Sequence, residues 1–224
     1  MLLVNSPHNP TGVVLDQDEL RAITDIACEH DLIVITDEVY EHLTFDGHQH
    51  RPLATYDGMR ERTLTISSGG KTFSLTGWKV GWATGPAHLV RAVTLAKQFM
   101  TFTSGAPLQP AIAHALTLGD DYFAGLASTL QDKRDRLCRG LTEIGLRVFV
   151  PQGTYFVTTD IAPLGYDDGV KFCLDLPERC GVAAIPHQVF YDDPHAGRSL
   201  VRWAFCKRDD VLDEALSRLS VLRR

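Results

Sequence analysis

Lys71 is the side chain in this sequence with the most chemistry to offer. An apolar, strand-like run from Thr63 to Ile66 leads into Ser67-Ser68-Gly69-Gly70, and the lysine follows at once; a second basic residue, Lys79, lies just beyond. Glycines let a backbone approach a ligand closely and adopt positive φ. A lysine held in such a turn can be dehydrated, which lowers its pKa and frees the amine for Schiff-base chemistry. The same residues also describe a strand, a Gly-Gly turn and a solvated lysine, and the stretch taken alone favours that plainer reading. The rest of the chain shifts the balance.

The elements that must position Lys71 can be read from periodicity. Leu2 to Val4 reads as a buried strand, ending in the turn formers Asn5-Ser6-Pro7-His8-Asn9-Pro10-Thr11-Gly12. Asp16, with Glu19 three residues on, predicts a capping box opening a helix with Leu20, Ile23 and Ala27 on one face. Leu32 to Ile35 is a continuous branched run, expected as a strand buried on both faces, and it runs into Asp37-Glu38-Val39-Tyr40. Thr63 to Ile66 is the third strand. Val80 to Thr84 follows so closely that it is expected antiparallel to the third, because a parallel return needs a long crossover. This alternation predicts an α/β domain with a mostly parallel sheet. Ligands of such sheets bind beyond the carboxyl ends of the strands. Asn9, Asp37, Tyr40 and Lys71 each fall just past one of three successive strand ends, so they are expected to converge.

Helical patterns follow over 89–100 and 110–118, then a long helix over about 120–144. Beyond Pro151 the texture changes to strands over 154–159, 182–185 and 200–205, with a final helix carrying Val211, Leu212, Ala215, Leu216 and Leu219. The expected organisation is a partial large domain over 1–130 and a small C-terminal α+β domain over 131–224, the boundary falling inside the long helix.

Composition bounds the class. The 224 residues are 44% hydrophobic and 22% charged, an ordinary globular balance. A net charge of −6 without a basic block argues against nucleic acid as a partner. Cys28, Cys138, Cys173, Cys180 and Cys206 form no C-x-x-C pair and are odd in number, which fits reduced thiols in a cytoplasmic protein. No apolar run is long enough to span a membrane. His42, His48 and His50 share an acidic loop without fixed ligand spacing, so solvated histidines are expected there and no metal. There is no G-x-G-x-x-G, H-E-x-x-H or serine-elbow motif.

Four motifs in order resemble the class I/II aminotransferases that use pyridoxal phosphate on fold type I. They are Pro7-His8-Asn9-Pro10-Thr11-Gly12, Asp37-Glu38-Val39-Tyr40, Ser68-Gly69-Gly70-Lys71 with Lys79 beyond, and Val201-Arg202-Trp203-Ala204-Phe205. The wording of 35–42 and 71–82 is similar to the kynurenine/methionine aminotransferase-like branch, which also contains bacterial N-succinyldiaminopimelate aminotransferases; 164–168 and 206–210 resemble the latter. The resemblance implies transamination between an amino acid and a 2-oxo acid through an aldimine on Lys71, in a cytoplasmic homodimer. It implies that Lys71 moves the proton at Cα, that Asp37 holds the protonated ring nitrogen, and that Asn9 and Tyr40 bond the ring's phenolate oxygen. Ser68 and Lys79 match phosphate positions. Arg202, with Asn9, matches the grip on the substrate carboxylate.

Each residue has a plainer role as well. Asn9 can shape its turn, Asp37 can cap a helix, Tyr40 can be a core aromatic, Lys79 can be solvated, and Arg202 can be a sheet-edge ion pair. Two other functions stay open on the same scaffold: a non-catalytic cofactor-binding remnant or regulatory module, and a β-elimination lyase. The resemblance also implies an earlier part of the large domain that is not in this sequence, with further strands, a phosphate-binding helix N-terminus and an aromatic that stacks on the ring. A truncated chain is therefore expected, with an exposed sheet edge and without competence as a transaminase on its own.

Overall fold

One amphipathic helix and three branched runs build the first sheet. The structure is a computed structural model that describes residues 1–103, 105–193 and 195–223. Strands β1 (Leu2–Asn5), β2 (Val34–Asp37), β3 (Thr63–Ser68) and β4 (Gly81–Thr84) are hydrogen-bonded in that order. The first three are parallel, and β4 is antiparallel to β3, with Ser68 opposite Gly81. The short link between β3 and β4 leaves no room for a parallel crossover.

Helix α1 (Gln17–Glu29) makes the crossover from β1 to β2. Asp16 accepts from the N–H groups of Asp18 and Glu19, and Glu19 accepts from the Asp16 N–H at 2.8 Å, which is the expected capping box. Leu20 and Ala27 on its inner face pack with Val34, Leu53 and Met59, and Leu2 and Val4 lie against the same core.

The expectation of strands buried on both faces is not met. Leu3 is 75% exposed and Ile33 41% exposed. The pleat sends alternate side chains to opposite faces, so Leu2, Val4 and Val34, with Leu32 just before β2, reach the core under α1, and β1 has a single strand neighbour among the described residues. The Gly-Gly turn is also more regular than anticipated: Gly69–Thr72 forms one helical turn, α2. Helices α3 (Ala87–Met100), α4 (Gln109–Ala115) and α5 (Asp120–Ile144) follow.

The second sheet is antiparallel throughout. Its strands are β5 (Arg147–Phe149), β6 (Phe156–Asp160), β7 (Ile185–Pro186) and β8 (Leu200–Ala204), in the order β5-β6-β8-β7. Helix α6 (Gly169–Cys180) separates β6 from β7, and α7 (Asp209–Leu219) follows β8. Two strands differ in extent from the sequence pattern. Thr154 takes a positive φ of 70°, so β6 starts at Phe156 rather than at 154. Gly181 ends α6 in the left-handed region, and regular pairing resumes only at Ile185. The chain divides into two compact units, Met1–His8 with Val13–Gly125 and Asn9–Gly12 with Leu126–Arg224.

Gly12 anchors the short segment of the second unit. Its carbonyl accepts from the N–H groups of Gln152 and Gly153, both at 2.9 Å. Its φ is +74°, and a Cβ added there would stand 2.3 Å from the Pro151 Cβ and 3.0 Å from the Gly153 oxygen. Gly12→Ala therefore combines a left-handed alanine with a clash against a proline ring. Overpacking of this kind costs about 1–3 kcal/mol, with backbone strain of roughly 1–2 kcal/mol added. Chemical denaturation should show a clear fall in midpoint; a midpoint equal to that of the wild type would show that this segment packs otherwise.

Candidate active site

In the first unit the ends of β2 and β3 bring Asp37, Tyr40, Ser68, Lys71 and Lys79 into one unit. The Asp37 main chain is held from both sides: its carbonyl accepts from Asn5 Nδ2 at 2.8 Å and from the Ser6 N–H at 3.2 Å. Its carboxylate accepts from the Val39 N–H at 3.3 Å. The chain then turns, with the Glu41 N–H donating to the Glu38 carbonyl at 2.9 Å and the Leu43 N–H to the Tyr40 carbonyl at 2.8 Å. That turn buries Tyr40 to 2% exposure. The Lys71 Nζ stands 5.8 Å from the centroid of the Tyr40 ring.

The lysine's position follows from the glycines. The Gly69 N–H donates to the Val80 carbonyl at 3.1 Å, and Thr76 Oγ1 donates to the Gly70 carbonyl at 2.9 Å. A Cβ at Gly70 would meet Thr76 Cα at 3.2 Å, and one at Gly69 would meet Ile112 Cδ1 at 2.7 Å. Gly70 thus lets the Thr76 segment close on the turn that carries Lys71, and Gly69 lets α4 approach that turn. Ser68 occupies the N-cap position of α2, yet its hydroxyl makes no capping bond. Lys79 is exposed and sits in the left-handed region at φ 54°. For a long side chain that conformation costs about 1 kcal/mol or more, and such residues cluster at functional sites.

In the second unit Asn9 and Arg202 meet. Arg202 Nη1 donates to Asn9 Oδ1 at 2.5 Å. The guanidinium lies over the Phe156 ring at 4.0 Å and over the Phe190 ring at 5.0 Å. Arg202 stands opposite Thr158 on β6 and Ile185 on β7, so a strand flanks it on each side. Arg202 therefore does not lie on an edge strand, and an amide and two aromatic faces are among its partners. Planar guanidinium suits such stacking and still presents N–H groups at its edge.

Sequence reasoning missed several supporting groups. His50 Nε2 is 2.7 Å from Glu38 Oε2, with both side chains nearly buried. Ser67 Oγ donates to Glu41 Oε1 at 2.7 Å. His42 stacks on Phe123 with centroids 4.2 Å apart, and burial holds its pKa below the ordinary histidine value against the opposing pull of Glu41. Of the three loop histidines only His48 is exposed; a correct signal for Glu38 was available in the strand alternation, which turns it away from the face Asp37 takes. Burial pushes the Cys138 thiol up to about 11 and the Cys173 thiol up to about 12, so neither suits nucleophilic work. Among the described residues no group of three or more His, Cys, Asp or Glu is placed to hold a metal, and no helix is long and apolar enough to cross a membrane.

A mostly parallel sheet with a lysine turn after its third strand, joined in sequence to a unit built on an antiparallel sheet, is the fold of the fold-type I pyridoxal-phosphate enzymes, to which its structural neighbours belong. The chain belongs to the aminotransferase class I and II family, whose family model matches residues 1–219. It is 56% identical over 230 residues to a probable N-succinyldiaminopimelate aminotransferase, DapC, of Mycobacterium tuberculosis, covering 99% of this chain and 58% of that protein. It is 40% identical to a kynurenine–oxoglutarate transaminase of Dictyostelium discoideum, covering 100% of this chain and 57% of the relative. The solved structure of the Mycobacterium tuberculosis N-succinyldiaminopimelate aminotransferase superposes with a TM-score of 0.95 at 57% identity, over 98% of this chain and 57% of that one. YbdL of Escherichia coli, with a methionine aminotransferase function, gives 0.91 at 36% identity, over 98% of this chain and 58% of that one. The chain thus spans a little under three fifths of the length of these relatives. Enzymes of this family depend on pyridoxal phosphate.

Proposed function

We propose that this chain is part of an enzyme that carries out pyridoxal-phosphate-dependent transamination between an amino acid and a 2-oxo acid, acting at full length as a cytoplasmic homodimer. The observation that carries the reading is the trio in the first unit: Lys71 over the buried Tyr40 ring, with Asp37 fixed at the neighbouring strand end. The donor set fits the cofactor. It offers an amine, a carboxylate, a phenol, an uncommitted cap hydroxyl and a cation held in a strained backbone conformation. Pyridoxal phosphate supplies an aldehyde for covalent attachment and a ring that takes up the electron pair released at Cα.

The chain's own residues do the rest. Lys71 would provide the amine that holds the cofactor and the base that moves the proton at Cα. Asp37 keeps a proton on the ring nitrogen by charge. Tyr40 and Asn9 hydrogen-bond the ring oxygen, Ser68 and Lys79 take the phosphate, and Arg202 with Asn9 takes the substrate carboxylate. We read 1–130 as part of the cofactor-binding domain and 131–224 as the small domain. The 56% identity to the mycobacterial protein favours N-succinyldiaminopimelate as the amino partner and a 2-oxo acid such as oxoglutarate as the other.

The test is a half-reaction. The protein with the earlier part of the large domain restored is purified, loaded with pyridoxal phosphate and mixed with N-succinyldiaminopimelate, kynurenine or methionine in the absence of any 2-oxo acid. Conversion of the bound cofactor to pyridoxamine phosphate is the expected result. A parallel reaction with β-chloroalanine separates the lyase reading, which would release chloride, pyruvate and ammonia with the cofactor unchanged, and no reaction with any of these compounds would leave only cofactor binding.

A further inference from the structure

The geometry points to the buried Glu38–His50 pair as a positioning device for Asp37 and Tyr40, a role that rests on the cofactor-site assignment proposed above. The argument begins with the pleat. Successive residues in extended chain face opposite ways. Val34 and Thr36 are buried on one face of β2, and Glu38 continues that register beyond the strand end with 2% exposure. Asp37 therefore faces the other way. A glutamate on the core face lies among apolar groups, where an unpaired carboxylate is costly. His50 supplies the partner at 2.7 Å, its side chain 7% exposed against 3% for Glu38. Beside the pair is a cavity of about 10 Å³ lined by Ser6, Thr36, Leu20, Leu53 and Arg51, with room for one water at most.

Glu38 directly follows Asp37 and opens the turn that buries Tyr40, and it is fastened at three points. Its N–H donates to the Ile66 carbonyl at 2.8 Å, its carbonyl accepts from the Glu41 N–H at 2.9 Å, and its side chain holds His50. The first two bonds fix the peptide within the sheet and turn. The third ties that peptide to the loop that returns along residues 44–52, which otherwise carries exposed Asp46, Gly47, His48 and Gln49. Releasing it leaves the 38–41 turn, whose Val39 N–H holds the Asp37 carboxylate and which carries Tyr40, tied down by main-chain bonds alone. The Asp37 carboxylate and the Tyr40 ring, on either side, would lose their fixed aim. A carboxylate that must hold a ring proton, and a phenol that must lie under a lysine, both depend on sub-ångström placement.

A merely structural pair and a positioning pair separate in one experiment. Exchanging both partners of a buried hydrogen-bonded pair for apolar residues of similar shape can be nearly neutral, so the double variant Glu38→Met/His50→Leu should keep the melting temperature of the wild type. Hydrogen exchange is read by mass spectrometry on cofactor-free protein. Amides of residues 37–43 should exchange on the order of tenfold faster in the double variant, while those of α1 and β3 stay as in the wild type. With cofactor added, the pH midpoint of its visible band should move in the double variant, and Glu38→Gln, which can keep a hydrogen bond to His50, should restore most of both readouts. Exchange over 37–43 equal to that of the wild type, in a double variant that melts normally, overturns the proposal. So does a double variant that loses protection uniformly along the first unit, since that is loss of stability alone. If the wild type itself shows no band from a lysine-bound cofactor, the transaminase reading fails, and the exchange data still decide whether the pair fixes residues 37–43.

Discussion

Lys71→Ala is expected to remove covalent cofactor attachment entirely while leaving the fold intact. The side chain is half-buried and the turn around it is held by other groups: the Gly69 N–H on the Val80 carbonyl at 3.1 Å and Thr76 Oγ1 on the Gly70 carbonyl at 2.9 Å. Borohydride reduction of the loaded wild type followed by peptide mapping should place the pyridoxyl mass on the peptide containing Lys71. The alanine variant should carry none. Lys71→Arg keeps the charge near Tyr40 but cannot deprotonate, so it should fail in the same way. The half-reaction with an amino donor should fall by at least about 10²–10⁴, the range for a lost proton-transfer group. Label on Lys79, or on any other lysine, would remove Lys71 from the role and with it the central assignment of the site.

What made Lys71 readable was local order. A strand period of two, a pair of glycines and a basic residue all lie within ten positions, and the short link to Val80 fixes the antiparallel partner without any long-range knowledge. The Asp16–Glu19 capping box was legible for the same reason: its geometry is complete within four residues. Burial was less legible. Leu3 and Ile33 have the composition of interior strand residues, and nothing in a branched apolar run says which face will be covered. Strand β5 escaped because three residues are too few to show a period.

Partners that close over a loop were not legible at all. Glu38 and His50 are twelve residues apart across an irregular segment, so their 2.7 Å contact depends on where that segment returns. The alternation of β2 gave half of the answer, since it turns Glu38 toward the core, but it names no partner. The same holds for Arg202. Its chemistry could be guessed from a motif, whereas the Phe156 and Phe190 rings it lies over come from a neighbouring strand and a short turn. In each case the first chemical group is marked by its own residue type, and the group that orients it is marked only by the fold.

Arg202→Lys is expected to weaken recognition of the substrate carboxylate without disturbing the cofactor. The guanidinium is flat, so it can lie over Phe156 at 4.0 Å and Phe190 at 5.0 Å and still bond Asn9 at 2.5 Å through one edge nitrogen. A guanidinium carries parallel N–H donors whose spacing matches the two oxygens of a carboxylate. An ammonium has no plane to stack and no fork, so lysine keeps the charge and loses the geometry. A hydrogen bond to a charged group is worth about 1.5–3 kcal/mol, so kcat/KM for the amino donor should fall roughly 10- to 100-fold, mostly through KM. Borohydride labelling of Lys71 and the cofactor's visible band should be unchanged. The discriminating control is an amine of the same side chain without the carboxylate. The wild type should prefer the amino acid strongly, and the lysine variant should narrow that preference by about the same 10- to 100-fold. If the ratio of amino acid to amine rates is the same in both proteins, Arg202 does not read the carboxylate, and its contacts with Asn9, Phe156 and Phe190 serve only the packing of the second sheet.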